Sequence, residues 1–232
     1  MKQYILESSK KSKRRQQHFV IFGDVDVFVK DPLPEDVELD QVLRDLERII
    51  PKNFTRNLDI IYVGDFDHLR DRDVNAMYDS GAIYITNEQD DNVDILDDLI
   101  HEIAHAVEEN YNQEIYGDDK IRGEFLAKRN TLRRILGAHG YDVRSHNLLD
   151  VEYSRDLDEF FYEDVGYAKL SNFVLGLFIS PYPVTSLREY FASGFEEYYL
   201  GDRRALAEIS PKLYNKLNEL NKTEEENEAR KF

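Results

Sequence analysis

Every run in this chain that reads as a β-strand lies before residue 90, and the remainder reads almost entirely as helix. Residues 19–29, FVIFGDVDVFV, alternate and are β-branched or aromatic, the signature of a strand. LDIIYVG (58–64) and GAIYIT (81–86) repeat it. Between them, Val37, Leu39, Val42, Leu43, Leu46 and Ile49 have helical spacing over 35–50. Further helices are expected over 92–110, 118–140, 154–178 (with Gly166 as a weak point), 185–200 and 210–222. Residues 141–154 carry no pattern. Strands grouped first and helices later specify an α+β fold. The expectation is a small mixed sheet in the N-terminal half, packed on the 92–110 helix, and a mostly helical C-terminal half.

The expected organisation is a basic N-terminal arm over 1–17, holding the cluster Lys10 to Arg15, then a single domain over 18–221. That domain would comprise subdomains of about 18–112 and 113–221, followed by a charged tail over 222–232 that frays. No run approaches the roughly 20 apolar residues that cross a bilayer. No apolar segment of signal-peptide type precedes the basic cluster, so a cytoplasmic or particle-carried protein is expected, and a monomer, with no membrane partner. The net charge of -17 argues against general nucleic-acid binding. With no cysteine, disulfides, thiol nucleophiles and cysteine–zinc sites are excluded, and any transition metal falls to His, Asp or Glu.

The middle of the chain reads LIHEIAHAVEE (99–109). On a helix, His101 and His105 share one face, where two imidazoles can meet one zinc ion. Glu102 can sit beside the metal and take a proton from a water held there, the logic of H-E-x-x-H hydrolases. Leu99, Ile100, Ile103, Ala104, Ala106 and Val107 make this a helix with little exposed surface, so its polar side chains need buried partners. A catalytic zinc keeps three protein ligands and an open position. A metzincin-type third histidine is absent, since Glu108 and Tyr111 stand at the relevant spacings. His18, His68, His139 and His146 fall in no second ligand motif. Glu189, in PYPVTSLREYFASGFEEYY, is a candidate, with Glu196 and Glu197 as rivals. Ser186 to Glu189 also fits a helix capping box.

HEIAHAVEE followed by PYPVTSLREYFASGFEEYY resembles the anthrax lethal factor-like and Pro-Pro endopeptidase-like zinc metallopeptidases, which are gluzincin-type zincins. The resemblance covers roughly 58–110 and 180–215. It implies a zincin-like fold, with zinc held by His101, His105 and Glu189. It implies Glu102 as general base, and Tyr182, seven residues before Glu189, as donor to the oxyanion. MYDSGAIYIT is similar to the edge strand beside the zincin cleft, so Ile83, Tyr84, Ile85 and Thr86 are expected to pair with an extended protein or peptide substrate. Residues 113–175 have no counterpart, and Ser193 stands where lethal factor carries a further glutamate. The expected function is zinc-dependent peptide-bond hydrolysis. The alternative is a catalytically silent, zinc-stabilised binding or structural module, such as a viral or toxin component, with His139, His146 or Glu196 closing the fourth position.

Overall fold

The structure, a computed structural model, describes residues 17–229. The expected basic arm lies outside these residues apart from Gln17, as do residues 230–232 of the expected tail. The chain divides into two compact units, the first ending at Asn110 and the second beginning at Tyr111. Among the described residues no helix is long and apolar enough to cross a membrane.

The first unit is α+β. Strands β1 (Gln17–Ile21), β2 (Val25–Val29), β3 (Ile60–Val63), β4 (Ala76–Asp79) and β5 (Ala82–Ile85) form an open sheet in the order β1-β2-β3-β5-β4. The outer pairs, β1 with β2 and β4 with β5, are antiparallel, while β2, β3 and β5 are parallel. Helix α1 (Leu39–Ile49) connects β2 to β3, burying Leu39, Val42, Leu43 and Leu46, and the short α2 (Asp67–Arg70) comes after β3. The parallel centre comes from this crossover, and the sheet is mixed, as expected.

The single strand expected over 19–29 is two strands. Asp24 N–H donates to Ile21 O at 3.3 Å, closing a turn in which Phe22 and Gly23 have φ of 52° and 90°. Two positive φ angles match the twist of a tight hairpin, and glycine adopts one without steric cost. Ser80 and Gly81, with φ of 50° and 89°, make the same kind of turn between β4 and β5. Strand β4 escaped the sequence reading because AMYD contains no β-branched residue and no alternation.

Register turns the pleat into a core. Val27, Ile61, Ile83 and Tyr78 lie in one row across β2, β3, β5 and β4, and all are buried. In the neighbouring row, His18, Phe28, Tyr62 and Tyr84 stack successively, with ring centroids 4.5, 6.3 and 5.3 Å apart. Helix α3 (Asn92–Asn110) has the expected bounds and packs on β4, β5 and α1. Asp91 caps it, its Oδ1 accepting from the Val93 and Asp94 N–H groups at 2.7 and 3.1 Å. The acidic run before α3 is thus a helix start.

The second unit is helical. It comprises α4 (Asn112–Tyr116), α5 (Lys120–Ala138), α6 (Arg155–Glu159), a π-helical stretch (Phe160–Gly166) and α7 (Tyr167–Val174). Next come a 3-10 turn (Tyr182–Val184), α8 (Leu187–Tyr199), α9 (Arg203–Ile209) and α10 (Pro211–Ala229). The one helix expected over 154–178 is broken at Gly166, where φ of 80° ends the π-helical stretch. α10 continues through Ala229, so most of the tail expected to fray is helical.

Gly81→Ala tests the β4–β5 turn. A Cβ there meets Asn57 O at 3.0 Å, and the backbone is in the left-handed region at φ 89°. The expected loss is about 1–3 kcal/mol, read as a lower urea midpoint at unchanged slope.

Candidate metal centre

Helix α3 gathers His101, Glu102 and His105 so that one ligand atom from each lies within 4.8 Å of the others. The two imidazoles meet edge to face, with centroids 5.2 Å apart at 82°. His101 is half-buried, while Glu102 and His105 are only 7% and 6% exposed. One turn on, Glu108 Oε2 stands 3.7 Å from His105 Nδ1. A carboxylate beside one ring nitrogen orients the ring and makes the other nitrogen a better ligand.

A buried carboxylate needs donors. Glu102 Oε2 accepts the Tyr78 backbone N–H at 2.6 Å, and the Tyr78 hydroxyl donates to Glu109 Oε2 at 2.6 Å. One residue of β4 is therefore tied to α3 twice, at positions seven residues apart on the same helix face. The Glu102 bond uses an amide that β5 cannot take. Antiparallel residues alternate between pairing inward and pointing outward. Thr86 N–H donates to Asn75 O at 2.8 Å, so Asn75, Met77 and Asp79 pair toward β5 while Ala76 and Tyr78 face away.

This arrangement corrects the expected substrate strand. Ile83, Tyr84 and Ile85 lie in β5, hydrogen-bonded between β3 and β4, and Thr86 is tied to Asn75. Among the described residues, the outermost strand on that side of the sheet is β4.

Asp98 lies one turn before Glu102 on α3. Burial pushes its carboxyl up to about 6, the Gln89 side-chain amide at 3.0 Å opposes that rise, and Asp94 and Glu102 add to it.

Tyr182 and Glu189 belong to the second unit. Tyr182 opens the 3-10 turn and is 43% exposed. Ser186 caps α8, its Oγ accepting the Glu189 N–H at 3.1 Å, so the serine half of the capping box forms. Glu189 lies in the first turn of α8, half-buried. Of its rivals, Glu197 accepts the Asp202 N–H at 2.7 Å and so serves the chain's exit from α8.

The residue that sequence reasoning missed is Arg129. It is fully buried on α5. Its Nε donates to Leu148 O at 2.7 Å, Nη1 to Val184 O and to Thr185 O at 3.3 Å, and Nη2 to Asp150 O at 3.4 Å. The guanidinium thus gathers the 148–150 loop and the turn that leads from Tyr182 to Glu189. Burial pulls its pKa down to about 10, which still leaves a cation at neutral pH. One signal was present: Arg129 occupies the helical stripe of Ile121, Phe125, Leu132 and Leu136.

No known protein family, no curated protein and no solved structure matches this chain.

The buried charges lead to two measurable effects. Asp98 holds its proton to about pH 6 when folded but ionises near 3.8 when unfolded. The folded state binds more protons in that window, so stability falls as pH rises through it and stays lower above. Asp98→Asn should stabilise the metal-free protein by about 1–3 kcal/mol near pH 7 and change little near pH 4. Arg129→Met strips four carbonyls of their donor and should cost at least about 3 kcal/mol by urea denaturation.

Proposed function

We propose that this chain is a zinc-dependent endopeptidase acting on protein or peptide substrates. The observation that carries the reading is the convergence of His101, Glu102 and His105 on one buried face of α3. Two imidazoles and a carboxylate are a nitrogen–oxygen donor set suited to zinc. His101 and His105 would hold the metal, and the resemblance carried by the Glu189–Phe195 stretch names Glu189 as the third ligand. Zinc, when bound, supplies a Lewis acid that makes water a nucleophile at neutral pH.

The remaining steps belong to the chain's own side chains. Tyr78 N–H fixes Glu102 Oε2 and leaves Oε1 to take the proton of the attacking water. The same oxygen then passes that proton to the leaving amine. Tyr182 donates its hydroxyl proton in a hydrogen bond to the oxyanion of the tetrahedral intermediate. An extended substrate adds to the outer edge of β4 at Ala76, since the outward N–H of Tyr78 is committed to Glu102.

Metal analysis of the purified protein should find about one zinc per chain. His105→Ala should lose it. Glu102→Gln should keep it and cleave a combinatorial peptide library at least about 100-fold more slowly than wild type. Cleavage by Glu102→Gln at the wild-type rate would sink the mechanism. A zinc-loaded wild type that cuts nothing in the library would point to a closed, structural site.

A further inference from the structure

The C-terminal end of α5 and the loop after it line an open cleft of about 690 Å³ within the second unit. Arg133 and Arg134 enter from the helix and Arg144 from the loop. None of the three has a carboxylate partner among the described residues. Arg133 donates to Asn130 Oδ1 at 3.0 Å and Arg134 to Thr131 Oγ1 at 3.1 Å, both neutral. The chain has 47 acidic residues against 30 lysines and arginines. Elsewhere several arginines pair with carboxylates, as Arg44 does with Asp40, Arg70 with Asp65 and Arg155 with Glu159, while Arg56, Arg72 and Arg203 are held by neutral groups. What sets Arg133, Arg134 and Arg144 apart is that all three line one cleft.

The loop's own acid forms no ion pair with them among the described residues, although it stays ionised on the same loop. Asp142 accepts the Arg144 backbone N–H at 3.1 Å and the Ser145 hydroxyl at 2.6 Å, and these bonds hold its carboxyl below the usual carboxylate range. His146 also lines the cleft and is held in place, with Nδ1 2.9 Å from Asp156 Oδ2 and its ring stacked on Phe160 at 4.2 Å. Arg133 and Arg134 lie before the last turn of α5, so the helix dipole, which acts within that turn, does little to account for them. Arg144 lies outside the helix altogether.

We propose that this cleft binds a small, multiply charged phosphate compound. Guanidinium groups present paired N–H donors that match phosphate oxygens two at a time. Three of them match an anion of several charges, whereas a single carboxylate leaves two unmatched. The volume falls within the roughly 300–1,000 Å³ range of small-molecule sites. The site stands apart from the peptidase reading, since it uses neither α3 nor Glu189.

Inorganic pyrophosphate is the probe. Titrated into the full chain at low salt and followed by calorimetry and amide NMR, it should bind saturably, one per chain, with shifts centred on residues 130–147. Arg134→Gln and Arg144→Gln should each weaken binding about tenfold, and the double variant should abolish it. Arg133→Lys, which keeps the charge but loses the fork, should weaken it several-fold. Arg48→Gln, on α1, should change nothing. These arginines are exposed, so thermal midpoints should match wild type. Absent or non-saturable binding, or binding indifferent to the double variant, would overturn the proposal. Citrate binding as tightly as pyrophosphate would overturn its assignment to phosphate.

Discussion

The first unit turns on Tyr78. Its main chain satisfies the Glu102 carboxylate and its hydroxyl satisfies Glu109, so β4 is held against α3 at two successive levels. Without that amide, Glu102 would be a carboxylate buried without a donor, and the helix face that carries His101 and His105 could not pack as it does. Asp98, a turn earlier on α3, takes its donor from the Gln89 side-chain amide, and burial raises its pKa to about 6.

The second unit uses the same device with the signs reversed. Along α5, Arg129 and Lys128 are buried against carbonyl oxygens rather than carboxylates, Lys128 Nζ donating to Ile209 O at 2.8 Å and Ser210 Oγ at 2.7 Å. Glu124, one turn before Lys128, accepts the Lys212 and Leu213 N–H groups at the start of α10 and the Tyr190 hydroxyl of α8. Glu124 therefore caps the start of α10 and ties it to α8. Burying cations this way costs desolvation, offset by several charge-assisted bonds at once.

What was legible in the sequence was local. Helix α3 was readable to its ends because its apolar spacing and its Asp91 cap are encoded within a few residues. The H-E-x-x-H cluster was readable because helical geometry alone brings its side chains together. Strand order was not readable. Placing Ile83–Thr86 at the edge failed because β4 pairs beside β5 through a two-residue turn, and AMYD gives no propensity signal. The hairpin inside 19–29 hid behind an apolar run in which only Gly23 marks the bend. The partners of Glu102 and Arg129 were beyond reach for a shared reason: both are main-chain groups, which every residue possesses and no sequence pattern distinguishes.

The outward-facing amide of Tyr78 has a bearing on self-association. A sheet edge with unpaired main-chain groups is a template on which another copy of the chain can grow. At the edge of β4, one of the two outward N–H groups is already committed to a carboxylate, and the strand is only four residues long. Glu102 in this position guards the edge against pairing with another chain. A substitution that removes its carboxylate therefore leaves a stickier edge, a liability separate from any loss of activity.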